Sequence, residues 1–317
     1  MKRHEPLDPD LVARIAQLSV RAKVAADGAL TGLHRSPHRG ASVVFVEHRE
    51  YRPGDDPRLL DWRAYARTDR PTLKRFEQET QLSATLLLDR SSSMAFTGAP
   101  DRPTKSDHAS TLLGALALLL LRQGDRVGAL TFADRVRELV PHASGTGHLE
   151  PLLRGLLDGE GAPATDLIAA LGEALPRAGR RGFVAIASDL LEADSADASI
   201  PGGLAALRSF AAKGHEVWVL HVLDPAEIEL DLPNACRVHG LEGEPSVEVP
   251  GANVREAYAR AIGEFLECSE STCRAMGVHY VLARTDEDPA LTLGRMLGRE
   301  MGAPATARPS RGRPRGL

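Results

Sequence analysis

Leu82-Ser-Ala-Thr-Leu-Leu-Leu-Asp-Arg-Ser-Ser-Ser-Met94 has the pattern of a buried strand that ends on oxygen-bearing side chains. Thr85 to Leu88 form a short apolar run without polar alternation, which is typical of a parallel strand buried on both faces. Asp89 and three serines follow directly. Since ligands of open α/β sheets bind beyond the carboxyl ends of the strands, we expect these side chains to line a crevice there.

The polar residues of this stretch also have the chemistry of a metal site. Asp89, Ser91 and Ser93 offer three hard oxygen ligands from one turn, which suits Mg²⁺. The alternative is a turn and helix cap, a common use of Asp and Ser. Thr165, which precedes an apolar helix, and Asp189, which ends another buried strand, favour the metal. The predicted ligands are Asp89, Ser91, Ser93, Thr165 and Asp189.

These residues resemble a known motif. Asp89, Ser91, Ser93 and Met94, followed by Thr165 and Asp189, resemble the metal-ion-dependent adhesion site of von Willebrand factor type A domains. The preceding block resembles the signature of the family called domain of unknown function 58, in which it comes before a type A-like domain. That block comprises Arg49 to Arg63, Ala66-Arg67 and Lys74 to Glu79.

The resemblance implies a function as well as a fold. It implies a bound Mg²⁺ (or Mn²⁺ or Ca²⁺) that leaves one coordination position open for an Asp or Glu of a protein partner. It also implies association with a MoxR-type AAA+ ATPase, as an adaptor in the assembly or maturation of protein complexes. We therefore expect a non-enzymatic, metal-dependent interaction module.

Composition excludes several other classes of protein. Hydrophobic residues make up 43% and charged residues 26% of the 317 positions, which is ordinary for a soluble globular chain. Aromatic residues make up 4% and the net charge is -4, so we expect no nucleic-acid partner. Three scattered cysteines predict neither a disulfide framework nor a zinc site. Leu112 to Leu121 is about half the ~20 residues that a spanning helix needs, so we expect a cytoplasmic protein without membrane insertion.

The block before the buried strand is dense in opposite charges around a Pro53-Gly54 turn. It could be a surface that a partner binds, or a salt-bridge network that fastens the block to its own domain; we favour the network. The residues concerned are Arg49, Tyr51, Asp55, Asp56, Arg58, Asp61, Trp62 and Arg67.

Alternating apolar strands and helices predict an α/β fold, with a mainly parallel sheet covered by helices on both faces. It is expected to be von Willebrand factor type A-like and Rossmann-like. We expect residues 1–80 to hold a helix over 9–26 and a small β subdomain. Residues 81–301 should form the type A-like domain, with an excursion of hairpins near 225–251, and residues 302–317 a disordered basic tail.

Two alternatives to the interaction module remain open from the sequence. A metal-dependent hydrolase or phosphatase could use the same crevice, with His108 or His142 brought there as a base. Against it, Ser91 stands where a haloacid-dehalogenase-type phosphatase has its second Asp. There is no Gly-x-Ser-x-Gly motif, and the stretch after the metal loop is not a phosphate-binding loop, because Pro103 and Thr104 stand where that loop has its Gly and Lys. The second alternative is a scaffold that binds no metal.

Overall fold

The structure, a computed structural model, describes a chain of helices and strands that can be followed through most of the sequence. The described residues are 9–34, 48–50, 72–74, 82–157, 166–179, 181–191, 202–230, 235–238, 247–250 and 252–302. The helices are α1 (Pro9–His34), α2 (Lys105–Arg122), α3 (Leu149–Leu157), α4 (Leu167–Ala174), α5 (Gly202–Ala212), α6 (Pro225–Glu229), α7 (Ala252–Ala275) and α8 (Pro289–Gly302). The strands are β1 (His48–Glu50), β2 (Thr72–Lys74), β3 (Ser83–Asp89), β4 (Arg126–Phe132), β5 (Val136–Ala143), β6 (Phe183–Ser188), β7 (Glu216–Leu223), β8 (Ala235–Val238), β9 (Val247–Pro250) and β10 (His279–Arg284).

Six strands form one sheet in the order β10-β7-β6-β3-β4-β5. Every neighbouring pair is parallel except β4 and β5, which form an antiparallel hairpin at the edge of the sheet. Counted along the chain within this sheet, the order is 3-2-1-4-5-6, which is the doubly wound arrangement. The predicted α/β, von Willebrand factor type A-like fold class is confirmed. The strand order reverses between β3 and β6, and a ligand crevice is expected at that point.

The sheet has a separate apolar core on each face. Leu86 and Leu88 of β3 pack in a cluster with buried residues of α1, α2, α3 and α8. Leu87, which points the other way, packs in a second cluster with α4, α5 and α7. β3 is therefore buried on both faces, as its unbroken apolar run predicted. α2, which contains the apolar run Leu112 to Leu121, is a buried helix, and no helix in the described part of the chain is long and apolar enough to cross a membrane.

Helix α1 differs from expectation in length and in the unit to which it belongs. It runs eight residues beyond the predicted end and includes His34. Contacts divide the chain into Met1–Ser36 with Leu82–Leu317, and Pro37–Gln81. The helix is thus part of the larger unit and not of an N-terminal subdomain over 1–80. Its alanine face allows close packing, and a Cβ on Gly28 would lie 2.8 Å from the Cβ of Ala290 in α8.

The smaller unit is described only at β1 and β2, which pair antiparallel with Arg49 opposite Leu73. The remaining members of the charged block lie outside the described residues, so its prediction as partner surface or internal network stays a prediction. Those members are Tyr51, Asp55, Asp56, Arg58, Asp61, Trp62 and Arg67. The predicted basic tail beyond α8 also lies outside them.

The excursion predicted near 225–251 is partly wrong. β8 and β9 do form an antiparallel pair, but the segment begins with helix α6 and not with a strand. Asp224 caps this helix, since its side chain accepts a hydrogen bond from Ala226 N. The Glu227 carboxylate accepts one from Asp224 N in return, which completes a capping box. Pro225 at the first helical position also indicates a helix start. We missed both features because the alternation of Ile228 and Leu230 is typical of a strand.

Helix α4 begins at a side-chain cap that can be tested. The Asp166 carboxylate accepts a hydrogen bond of 2.8 Å from Ala169 N. We expect Asp166→Ala to lower the free energy of unfolding by about 0.5–2 kcal/mol in urea denaturation, because a donor at the helix start loses its partner. Asp101→Ala, at another exposed Asp, is the control and should change it by under about 0.5 kcal/mol. Equal effects of the two substitutions would contradict the cap.

Candidate metal-binding crevice

The predicted ligands that the structure describes meet where the strand order reverses. Asp89 is the last residue of β3, and Asp189 directly follows β6, the neighbouring strand. Ser91 and Ser93 lie in the short turn after β3. All four side chains are buried, with exposed fractions of 0% for the two Asp residues, 2% for Ser91 and 7% for Ser93. Four of the five predicted residues thus lie at the same edge of the sheet.

Asp89 is bound through both carboxylate oxygens by uncharged donors. Ser91 N donates to Oδ1 over 2.9 Å, and Ser188 Oγ donates to Oδ2 over 2.6 Å. The Ser91 and Ser93 hydroxyls are hydrogen-bonded to each other at 2.9 Å. The bond from Ser91 N to Asp89 Oδ1 is the turn cap that we considered as the alternative to a metal ligand. Capping and ligation therefore involve the same side chain, and the cap does not exclude a ligand role.

The electrostatic surroundings of Asp89 disfavour its charged form. Burial, and after it the neighbouring Asp189, raise the pKa of Asp89 to about 7, although hydrogen bonds from Ser188 and Ser91 act in the opposite direction. A bound cation would strongly stabilise the charged form of this carboxyl group, because its positive charge offsets both causes of the raised pKa.

The fifth predicted ligand, Thr165, lies outside the described residues. Its neighbour Asp166 is described, and its backbone N donates a hydrogen bond of 3.1 Å to the carbonyl oxygen of Ala133, next to the end of β4. The chain therefore returns to the carboxyl edge of the sheet immediately after Thr165. Its role as a ligand stays a prediction.

A buried lysine that we did not predict completes the crevice. The Nζ atom of Lys105 donates to Asp189 Oδ2 over 2.7 Å and to Glu227 Oε1 over 2.6 Å. The side chain is fully buried, and its ammonium lies 6.0 Å from the centre of the Phe96 ring. Burial would lower the pKa of Lys105, but Asp189 and Glu227 together outweigh it and raise the pKa above its usual value. Lys105 therefore carries a positive charge inside the crevice.

A second buried residue that we did not predict, His221, contacts the backbone of Asp189. His221 Nε2 lies 2.8 Å from the carbonyl oxygen of Asp189, and Nδ1 lies 2.7 Å from the Tyr280 hydroxyl. Burial lowers the pKa of His221 to about 4, so the ring is neutral at pH 7. Nε2–H then donates to the carbonyl and Nδ1 accepts from Tyr280. These bonds hold the backbone of Asp189 where Leu190 has a left-handed φ of 58°.

The two histidines considered as catalytic bases lie elsewhere. His142 Nε2 is 3.0 Å from the hydroxyl of Thr85, which is four residues before Asp89 and so about 13 Å back along β3. His108 is buried beside α1 and the turn before α8. Neither histidine is placed at Ser91 or Ser93 to take a proton from a serine hydroxyl.

The donor set fits a hard divalent cation at Asp89, Ser91 and Ser93. Three carboxylates and one ammonium form what we call the buried cluster: Asp89, Asp189 and Lys105, which are fully buried, and Glu227, whose side chain is 18% exposed. The net charge of this cluster is -2 when every group is ionised. Within the described part of the chain, no three His, Cys, Asp or Glu side chains are arranged to hold a metal. A cation here would thus need the serine hydroxyls, and water, as ligands.

The raised pKa of Asp89 predicts an unusual dependence of stability on pH in EDTA. In the unfolded chain Asp89 has the ordinary aspartate pKa of 3.8, whereas in the folded protein its pKa is about 7. Between these values the folded state binds more protons, so stability should fall as the pH rises from 5 to 8. The melting temperature of Asp89→Asn, measured over the same pH range, should therefore fall less with rising pH than that of the wild type. An identical profile for the variant and the wild type would contradict the prediction.

The fold and this crevice define a doubly wound, von Willebrand factor type A-like protein with buried carboxylates and hydroxyls at its switch point. The chain belongs to the family described as Protein of unknown function DUF58, whose profile matches residues 47–265. The uncharacterized protein Rv1480 of Mycobacterium tuberculosis is 31% identical over 295 residues, which cover 91% of this chain and 89% of that protein. The uncharacterized protein YeaD of Bacillus subtilis is 29% identical over 119 residues, 38% of this chain and 27% of its own length.

Solved structures similar to this chain include a conserved hypothetical protein, BatB, from Bacteroides thetaiotaomicron. It has a TM-score of 0.42 and 19% identity, and the match covers 70% of this chain and 100% of that chain. The SpRpn10 VWA domain has a TM-score of 0.41 and 10% identity, with 67% of this chain and 94% of that domain covered.

Proposed function

We propose that this protein is a non-enzymatic, metal-dependent protein–protein interaction module. The observation that carries the proposal is the buried Asp89 carboxylate, which faces a hydroxyl pair while the crevice ammonium is bound to other carboxylates. A divalent cation would bring the net charge of the buried cluster from -2 to zero. It would also offset both causes that raise the pKa of Asp89.

Asp89, Ser91 and Ser93 would hold the cation, with Thr165 as a further ligand. Asp189 would also anchor the cation, directly or through water, while one of its oxygens accepts from Lys105 and the other from Leu191 N. Mg²⁺, Mn²⁺ or Ca²⁺ supplies a Lewis-acidic position that a carboxylate of another protein can occupy. Because three of the proposed ligands, Ser91, Ser93 and Thr165, are neutral hydroxyls, the ion would keep enough positive charge to attract an Asp or Glu side chain from a partner.

Several observations support an interaction role over hydrolysis. A hydrolase that uses Ser91 or Ser93 as its nucleophile needs a base within hydrogen-bond reach. His221 is neutral and bound to Asp189 O and Tyr280, whereas Lys105 is a charged donor to two carboxylates. Hydrolysis of a nitrophenyl phosphate or a nitrophenyl ester by the wild type, abolished in Ser91→Ala, would favour the enzymatic alternative.

We infer that the partner is a MoxR-type AAA+ ATPase and that the protein acts as an adaptor in the assembly or maturation of protein complexes, in the cytoplasm. The support is the resemblance of the Arg49–Arg67 block and the Asp-x-Ser-x-Ser motif to that family. A carboxylate on the ATPase, or on a client protein, would complete the coordination of the cation.

The proposal is tested by measuring association of the full chain with a MoxR-type ATPase from the same genome, by sedimentation velocity in Mg²⁺ and in EDTA. We expect a complex in Mg²⁺ that weakens at least tenfold in EDTA and in Asp89→Asn. Asp101→Asn, at an exposed Asp, is the matched control and should bind as the wild type does. Association of equal strength in EDTA would support the metal-free scaffold instead.

A further inference from the structure

Lys105 connects the crevice to three separate parts of the fold. It is the first residue of α2, and its backbone N donates to Phe96 O in the loop after β3. Its ammonium bridges Asp189 at the end of β6 and Glu227 in α6. Glu227 is fixed in turn by the capping box with Asp224 and by the Tyr258 hydroxyl, which donates to its carbonyl oxygen. The ammonium is therefore held firmly against Asp189.

We propose that Lys105 is a built-in counter-cation that competes with the bound metal for Asp189, and that it thereby limits the metal affinity of the crevice. This inference rests on the proposed metal site and concerns how that site is controlled. Lys105 acts through its bond to Asp189 and supplies no metal ligand of its own, because an ammonium has no lone pair. We therefore class it as a positioning residue.

The competition follows from the geometry at Asp189. Its Oδ2 accepts from Lys105 at 2.7 Å, a short charge-assisted bond between two fully buried groups. Its Oδ1 accepts from Leu191 N at 3.1 Å. A cation bound to Asp189 shares that carboxylate with the Lys105 ammonium and is repelled by it, so the bond to Lys105 weakens as the cation binds. The loss of this charge-assisted bond costs free energy, which reduces the affinity for the metal, and Glu227 moderates the cost because it shares the ammonium.

The same arrangement explains how the crevice can exist without metal. Asp89 and Asp189 are two fully buried carboxylates of the same crevice, and their charges repel each other. Lys105 provides one internal positive charge that Asp189 and Glu227 share, so Asp89 is the one carboxylate of the cluster without an ammonium partner. The protein can therefore fold first and take up the metal afterwards, and the affinity becomes adjustable through a single side chain.

The test distinguishes competition for Asp189 from a change in the net charge of the buried cluster. In Lys105→Met/Glu227→Gln the cluster loses one positive and one negative charge, so its net charge stays at -2 while Asp189 loses the ammonium. We expect calorimetric titration of Mn²⁺ into this full-length variant at pH 8 to give at least tenfold tighter binding than the wild type. Glu227→Gln alone leaves the whole ammonium to Asp189, and we expect it to bind Mn²⁺ more weakly than the wild type.

Each outcome decides between the two proposals. If the wild type binds Mn²⁺ and the folded double variant binds no tighter, the competition is overturned while the metal site stands. If the double variant binds and the wild type does not, the competition holds and the metal-dependent function of the wild type is overturned. If neither binds, both are overturned. Should the double variant fail to fold, unchanged or tighter binding by Glu227→Gln would overturn the competition.

Discussion

Replacing Asp89 by Ala should weaken Mg²⁺ binding at least 100-fold, which corresponds to about 2.7 kcal/mol of binding free energy. Asp89 is the one carboxylate of the buried cluster that is not bound to the Lys105 ammonium, since Asp189 and Glu227 share that charge. The remaining donors at the turn, Ser91 and Ser93, are neutral and cannot by themselves replace the hydration shell of the ion. Calorimetric titration at pH 8 measures the effect directly.

Loss of binding in this variant has to be distinguished from loss of the fold. Asp89→Asn is the variant that makes this distinction, since it removes the disfavoured charge and keeps a side-chain oxygen that can accept from Ser91 N. In EDTA at pH 8 its melting temperature should equal that of the wild type or exceed it, its Mg²⁺ binding should be lost as in Asp89→Ala, and Asp101→Ala should keep wild-type metal affinity. A variant that melts normally and still binds Mg²⁺ within threefold of the wild type would show that Asp89 is not a ligand.

Replacing Lys105 by Met should have the largest effect on stability, a loss of about 3–5 kcal/mol in urea denaturation with EDTA present. Met has a similar length and apolar character, so the packing of the side-chain stem is largely kept. What is lost is the positive charge, which leaves the buried Asp189 and the partly buried Glu227 near each other without compensation. Circular dichroism at increasing urea concentrations gives the free energy of unfolding.

An exposed ion pair provides the matched comparison for this substitution. Arg274 pairs with Glu270 one turn away on α7, and its side chain is 76% exposed. Arg274→Met should therefore cost about 1 kcal/mol or less. Adding Glu227→Gln to Lys105→Met should recover part of the loss, because one uncompensated carboxylate is removed. If Lys105→Met costs no more than Arg274→Met, the buried network does not stabilise the protein as described.

The fold and part of the crevice follow from local sequence features. β3 and β6 are short unbroken apolar runs, and such strands belong to parallel sheets covered on both sides. Asp89 and Asp189 come at their ends, so the rule for doubly wound sheets places them at one edge. Neither step needed knowledge of distant contacts, which is why both agree with the structure.

The counter-charges of the crevice could not be predicted in the same way. Lys105 lies 84 positions from Asp189 and 122 positions from Glu227, and nothing local shows that they meet. In the sequence Lys105 stands out only as the start of an apolar helix after Thr104. The signal that was available is the Asp224-Pro-Ala-Glu227 helix start, which we interpreted as the beginning of a hairpin. Its correct interpretation would have placed Glu227 at the carboxyl end of β7, beside the crevice.

The length of α1 was underestimated for a related reason. Gly28 and Gly32 weaken a helix when it is judged alone. In the folded protein Gly28 lies where α1 packs against Ala290 of α8, and a side chain there would collide with that helix. The glycine is thus explained by tertiary packing, which the sequence pattern did not reveal.

The most direct test of the central claim is a crystal structure of the full chain grown with Mn²⁺, with anomalous diffraction used to locate the ion. We expect one anomalous peak in the crevice, within coordination distance of Asp89, Ser91 and Ser93, with Lys105 still beside Glu227. A well-ordered crevice without such a peak, in crystals that contain millimolar Mn²⁺, would contradict the claim. The protein would then be a scaffold that works without metal.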